Sequence, residues 1–336
     1  FQSYHSNRSQ YVVWQEKNSD LLYLQTGVPQ GSVLGPILFL LYINDLPSAT
    51  SLLKVVLFAD DSNLILRGKD PITVSKTVTE ELVHIYDWFC SNKLLLNASK
   101  TKLIVFTSRK CRMDLSAPPV MLDNIEIKQE SSESFLGVHF DNTLKWYAHT
   151  CKVANTISKK VGMMTRIKNF VSHDTLKTIY NTLIQPHLIY GILLWGGTFD
   201  KGLTRITKLQ KKAIRLITGA KRTDHCEPRQ KQLRILKLED LHKIQTTSMT
   251  FDCLSGDAPE ELAGLFSYCG SAEGTTTRSQ VSKPMNIQLN EKPAAEGPVF
   301  KSGFLTKAVE FWNELPGYIQ ESDNKQVLRA RLKSHY

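Results

Sequence analysis

Leu52-Leu53-Lys54-Val55-Val56-Leu57-Phe58-Ala59-Asp60-Asp61-Ser62-Asn63-Leu64-Ile65-Leu66 is the stretch from which the rest of the chain is read. An apolar run broken only by Lys54 leads into two adjacent acids, and Asn63 to Leu66 leads away from them. Two apolar runs separated by a short polar break spell a β-hairpin. Its tip carries Asp60 and Asp61 at or next to the turn. Aspartate favours turns for its own backbone chemistry, so an acidic pair at a tip is commonly only a solvated turn. What separates this pair from that reading is Phe58-Ala59 directly before it, the buried-looking strands on both sides, and a Gly/Pro-rich loop about thirty residues upstream.

That upstream loop is Gly27-Val28-Pro29-Gln30-Gly31-Ser32. Before it lie two short strand candidates, Tyr11 to Trp14 and Leu21 to Gln25, divided by the polar Gln15 to Asp20 turn. After it, Gly35-Pro36 opens an apolar helix from Ile37 to Ile43, with proline where a missing N–H is harmless. Downstream of the hairpin, Asp70-Pro71 supplies an N-cap and a first-turn proline to a helix with Val78, Leu82, Ile85 and Phe89 on one side. Leu94 to Leu96, Lys102 to Thr107, Ile125 to Lys128 and Phe135 to Phe140 read as strands.

From Trp146 the pattern turns helical, and the switch near Leu144 is the expected domain boundary. One helix is marked by Val153, Ile157, Val161 and Met164, and another by Leu176, Ile179, Tyr180 and Leu183 up to Pro186. A third runs from Thr204 to Ile217, with Ile206, Leu209, Ala213, Ile214, Leu216 and Ile217 on one arc and Arg205, Lys208, Lys211, Lys212 and Arg215 on the other. Ser, Thr, Gly and Pro enrich the stretch near 269–298, which reads as a linker or long loop. A last helix spans Ser302 to Leu315.

The whole chain has 336 residues, 41% of them hydrophobic, and a formal charge of +10. That length allows about two domains and rules out wholesale disorder. The longest apolar runs, Val33 to Ile43 and His187 to Trp195, fall short of a membrane span of ~18 residues. Six widely spaced cysteines without a C-x-x-C pair argue against a disulfide framework or a zinc site and for reduced thiols inside a cell. Charge is more informative: Lys201 to Lys237 holds twelve basic residues against Asp224 and Glu227. Charge runs are usually solvated faces. Five cations on one helix arc with no intervening acid repel one another unless a polyanion lies nearby, and phosphate backbone is the natural candidate.

Three motifs in order, Gly27-Val28-Pro29-Gln30-Gly31, Tyr42-Ile43-Asn44-Asp45-Leu46-Pro47 and Phe58-Ala59-Asp60-Asp61, resemble the palm of a non-LTR retrotransposon reverse transcriptase of the jockey-like kind. Trp88 with Leu94, Leu96, Asn97, Lys100 and Thr101 is similar to the family segment after the catalytic hairpin. Phe135-Leu136-Gly137-Val138 resembles the strand pair that grips the primer end, and Phe311-Trp312-Asn313-Glu314-Leu315-Pro316 looks like a segment near the end of such element-encoded proteins.

The resemblance implies an α+β fold: a partial polymerase palm, an antiparallel sheet with helices, over 1–142, a helical basic thumb-like region over 143–240, and a C-terminal extension over 241–336. It implies RNA-directed DNA polymerisation with an RNA template, a DNA primer and dNTPs, and no membrane partner. Two Mg²⁺ ions would serve that transfer, held by Asp60 and Asp61 as catalytic metal ligands. Gln30 and Gly31 would form the floor beneath the nucleotide and template base, and Lys100 would offset phosphate charge. Lys100 reads equally as a strand-edge surface lysine. Leu136 and Gly137 would be primer-grip-like.

A family palm also takes a third carboxylate from a strand upstream of the Gly27 loop. The acids before Gly27 are Glu16 and Asp20, in the expected turn, and Ser3 to Val12 resembles family sequence lying after the missing strand. The expectation is therefore a fragment beginning downstream of the first catalytic aspartate, inactive alone, intracellular and by analogy nuclear. The alternative is a non-enzymatic nucleic-acid-binding remnant acting through Arg205, Lys208, Lys211, Lys212 and Arg215. A third possibility is an incomplete palm that never folds stably.

Overall fold

The computed structural model describes residues 4, 6–24, 27–106, 117–198, 201–269, 286–290 and 303–336. The chain divides into two units, Phe1–Glu130 and Ser131–Tyr336. Both mix helices with two-stranded antiparallel pairs, so the fold is α+β.

In the first unit β1 (Arg8–Gln10) pairs with β4 (Leu22–Leu24), and β2 (Val13–Trp14) pairs with β3 (Lys17–Asn18). The turn between β2 and β3 puts Gln15 and Glu16 at positive φ, 45° and 66°. Helix α1 (Leu34–Ile43) follows, then a 3₁₀ turn at Leu46–Ala49 and the central hairpin of β5 (Lys54–Phe58) and β6 (Asp61–Ile65). Helix α2 (Pro71–Ser91) starts where the sequence says it should: the Asp70 carboxylate accepts from the N–H groups of Ile72 and Thr73 at 3.4 and 2.8 Å. Its Leu82, Ile85 and Phe89 are buried. Ile85 and Phe89 pack with Ile43 and Leu46 and with the inward residues of the hairpin, Val55, Leu57 and Leu64. Leu82 packs with Val120, Leu122 and Ile127, which belong to or flank the small pair β7 (Met121–Leu122) and β8 (Ile125–Glu126).

Two expected strands do not form. Leu94 and Leu96 pack on the core while Leu95 is fully exposed, the in-out alternation of a strand, but no neighbouring strand bonds to them. Of Lys102 to Thr107, Leu103 makes a single parallel bridge to Gln129, and Thr107 lies outside the described residues. Periodicity reports which side chains are buried; a strand needs a hydrogen-bonding partner as well.

The second unit opens with β9 (Ser132–Phe135) and β10 (Val138–Asp141), joined by Leu136 and Gly137 at φ 47° and 80°. Two consecutive positive φ values mark a type I′ turn. The stretch expected as one strand, Phe135 to Phe140, is thus a hairpin, and its Val138 belongs to the helical core. Asp141 accepts from the backbone N–H groups of Thr143, Lys145 and Trp146 at 3.1, 3.1 and 2.8 Å and so fixes the entry to α3 (Tyr147–Ile167).

After α4 (His173–Ile179) comes a π turn over Tyr180–Ile184, then α5 (Gln185–Ile189) and α6 (Ile192–Trp195). Pro186 has no N–H to return to the carbonyl four residues back, and the helix widens there: Gln185 N–H reaches Tyr180 O instead. Helix α7 (Lys201–Thr218) buries Ile206, Ala213, Ile214 and Ile217 against Ile157, Met164, Tyr180 and Trp195. Then follow α8 (Glu227–Leu233), α9 (Leu238–Ser255) and α10 (Glu260–Ala263).

Most of the expected linker, residues 270–285 and 291–298, lies outside the described residues; within the rest, β12 (Ile287–Leu289) pairs with β11 (Phe266–Tyr268), and the Asn313 side chain bonds both the N–H and the C=O of Ile287. Helices α11 (Phe304–Asn313), α12 (Gly317–Gln320) and α13 (Lys325–His335) complete a core of Phe251, Trp312, Ile319 and Leu328 around α9. No described helix is long and apolar enough to cross a membrane.

Candidate active site and nucleic-acid interface

Phe58 pairs with Asp61, so the central hairpin turns on two residues, Ala59 and Asp60. Ala59 has φ 51° and Asp60 does not share it. Positive φ at the first turn position alone is the II′ pattern, which normally takes glycine there. The turn lifts Asp60 to the tip and starts β6 with Asp61; both are exposed, and among the described residues no hydrogen bond or ion pair ties down either carboxylate. One face of the hairpin is pinned by Val55, Leu57 and Leu64, while Val56, Phe58 and Ile65 on the other face are 36%, 60% and 52% exposed. Glu81 of α2, itself buried, accepts from Ser51 N–H at 3.1 Å, Leu52 N–H at 3.5 Å and the Thr50 hydroxyl, fixing the chain where it enters β5. The Thr50 hydroxyl, and then the two N–H groups, hold its carboxyl below the usual range.

The loop before α1 is a type II turn: Ser32 N–H reaches Pro29 O at 3.2 Å, and Gly31 takes the required φ of +81° at its third position. Gln30 stands exposed at its tip. Gly35 belongs here too, because a Cβ on it would come within 2.9 Å of Ser32 Oγ, which accepts the Gly35 N–H at 3.0 Å. Lys100 lies on no strand. It ends a turn capped by Asn97, whose Oδ1 accepts the Lys100 N–H at 3.3 Å, and its side chain is exposed.

Among the described residues no three His, Cys, Asp or Glu side chains cluster as a metal site, so neither Glu16 nor Asp20 joins Asp60 and Asp61. Two exposed carboxylates do fit a hard cation in kind, since magnesium takes oxygen ligands and keeps several waters.

In the second unit the Leu136–Gly137 turn is held by Tyr190, whose hydroxyl donates to Leu136 O. Its ring lies 3.6 Å from where a Cβ on Gly137 would stand. Trp195 Nε1 in turn donates to Tyr190 O at 3.0 Å. Of the α7 cations, Arg205, Lys208, Lys211 and Lys212 are exposed, and Arg215 is half-buried with its guanidinium donating to Asp224 O at 3.0 and 3.2 Å. The Asp224 carboxylate is taken by Arg229 at 2.7 Å, so the charge of Arg215 stays uncancelled. Sequence reading missed Tyr190, which carries no local signal, and Lys159 and Arg166 of α3. Those two are seven apart, two helical turns on one face, a spacing that could have revealed them.

Residues 2–140 match the family described as "Reverse transcriptase (RNA-dependent DNA polymerase)". That segment resembles a reverse transcriptase of the non-LTR retrotransposon kind. The chain is 26% identical over 259 residues to the RNA-directed DNA polymerase from mobile element jockey of Drosophila melanogaster, covering 74% of this chain and 28% of the relative. It is 29% identical over 200 residues to the probable RNA-directed DNA polymerase from transposon X-element of the same fly, covering 57% and 22%. A third relative, from transposon BS, is 28% identical over 205 residues, covering 58% and 22%. The chain thus spans roughly a quarter of the length of these reverse transcriptases.

Proposed function

We propose that this chain supplies the catalytic hairpin of an RNA-directed DNA polymerase, acting on an RNA template, a DNA primer and dNTPs, and that Asp60 and Asp61 hold its magnesium ions. The observation that carries this is the two-residue turn that presents both carboxylates, unpaired among the described residues, inside the segment that matches the family. When bound, a pair of magnesium ions activates the primer 3′-hydroxyl and steadies the triphosphate. The chain's own residues orient: Glu81 and the Val55, Leu57 and Leu64 face fix the hairpin, Ala59 sets the angle of its tip, and Gly31 leaves bare backbone beside Gln30 where a base pair can approach. Lys100, exposed and unpaired among the described residues, suits a triphosphate, and the Leu136–Gly137 turn suits the primer end. With two carboxylates and no third beside them among the described residues, the chain alone should polymerise poorly.

The test pairs Mg²⁺-dependent dTTP incorporation on poly(rA) primed with oligo(dT) with Mn²⁺ titration of the full chain followed by paramagnetic line broadening. The expected result is broadening centred on Asp60 and Asp61 that Asp60→Asn diminishes, with incorporation far below that of a complete relative. Unchanged broadening in Asp60→Asn, or incorporation at a complete relative's rate, would overturn the reading.

A second reading is favoured by α7: nucleic-acid binding without catalysis, through Arg205, Lys208, Lys211, Lys212 and Arg215. Four of these cations are exposed and none pairs with an acidic side chain among the described residues. Its mark is affinity that falls linearly in log K against log[salt]. Nuclear residence belongs to the same proposals, because such elements copy themselves at chromosomal DNA.

A further inference from the structure

Helices α3 and α7 pack closely, and the cations of α7 do not stand alone. One cleft, of about 660 Å³, is lined by Lys159 and Arg166 of α3 together with Arg205 of α7. Another, of about 830 Å³, is lined by Lys168 at the end of α3, by Lys208, Lys211 and Lys212 of α7, and by Arg222 just beyond it. Arg205 and Lys208 are three apart on α7 and so neighbours on its surface, and Lys168 caps α3 just past Arg166 in its last turn. The two clefts therefore follow one another along the helix pair. No acidic side chain lines either, and none of these cations makes an ion pair among the described residues.

The loop after α3 borders the second cleft. The His173 ring lies 3.9 Å from where a Cβ on Gly219, a lining residue, would stand. In that loop Phe170, two residues past Lys168, is 85% exposed, its N–H returned to Ile167 O at 2.8 Å. An aromatic ring left in water two residues past a lining cation is what a stacking platform requires.

We propose that the α3–α7 channel binds a single nucleic-acid strand, its phosphates running between the two rows of cations and a base stacking on Phe170. A duplex would offer Phe170 no free base face. This rests on the nucleic-acid reading of α7 and adds to it the α3 wall, the stacking residue and the strandedness.

The test is fluorescence anisotropy of the full chain with oligo(rU), oligo(dT) and a duplex hairpin of equal charge, across a salt series. The expected result is tighter binding of both single strands than of the duplex; whichever strand is preferred names the source. Lys159→Gln/Arg166→Gln/Lys168→Gln should make the slope of log K against log[salt] shallower by about 2. Lys69→Gln/Lys76→Gln/Lys93→Gln in the first unit removes the same charge and should leave it unchanged. Phe170→Ala should weaken single-strand binding about five-fold or more without altering the slope.

The proposal is overturned by a duplex bound as tightly as the strands, by an unmoved slope in the α3 variant, by a neutral Phe170→Ala, or by phosphatidylserine vesicles displacing the strands. A parallel Lys208→Gln/Lys211→Gln/Lys212→Gln variant separates the two readings. If it too leaves the slope unmoved, the α7 reading falls; if only the α3 variant does so, the channel alone falls.

Discussion

Ala59 occupies a backbone position that glycine would take without strain. For an L-residue the left-handed region is disfavoured by about 1–2 kcal/mol, and at this turn that strain sits between Phe58 and the two carboxylates. Ala59→Gly should therefore stabilise the first unit, by about 1 kcal/mol in urea denaturation followed by tryptophan fluorescence. It should also loosen the tip, because glycine restores freedom that alanine removes. An unchanged midpoint would mean that the hairpin yields rather than stores strain. Sequence alone pointed to Asp60 and Asp61 through Phe58-Ala59 before them. It held no sign that Ala59 rather than Asp60 would carry the positive φ, since Asp tolerates that region better than Ala does.

Among the elements, the tie between α2 and the entry to β5 shows how a buried acid can serve order rather than chemistry. Glu81 satisfies Thr50, Ser51 and Leu52 together. Glu81→Ala leaves those donors without their acceptor, and a loss of about 1–3 kcal/mol is expected, with faster hydrogen exchange along Lys54–Phe58 than along α2. Uniform protection across both elements would contradict the clamp. Elements whose signals are local were legible in the sequence: the apolar hairpin, α2 with its Asp70 cap, and the two-faced α7. Those held by distant partners were not. Helix α9 escaped because it is buried on several sides and fills its interior with Thr246, Thr247 and Thr250, so no polar face marks its period. The Ile287–Leu289 strand escaped because what secures it, Asn313, is 26 residues away. Tyr190 and Leu136 lie farther apart still, and the cations of α3 are diluted among apolar neighbours where those of α7 are concentrated.

Across the whole molecule, α9 links the helical core of the second unit to its C-terminal part, and His242 sits at that junction. The ring packs edge-on to Phe311 and against Gly196, where a Cβ would come within 2.7 Å. Burial, reinforced by Lys307 and opposed by Glu310, lowers its pKa to about 4. The folded chain thus keeps His242 neutral where an unfolded chain would protonate it. The contribution of His242 to stability is complete above about pH 6.5 and falls as pH drops toward 4, by up to about 3 kcal/mol. Thermal melts of the wild type between pH 7 and pH 5 should show this slope, and His242→Phe should make it shallower, leaving the share of His149, whose pKa burial also lowers to about 4. The anchoring of the Leu136–Gly137 turn also has a consequence in time. Tyr190 follows Leu136 by 54 residues. At about 5–20 residues per second, the ribosome delivers that tyrosine some 3–11 s after the turn it will hold. Through that interval the nascent hairpin lacks its hydroxyl donor, and it waits with its turn unanchored within reach of chaperones.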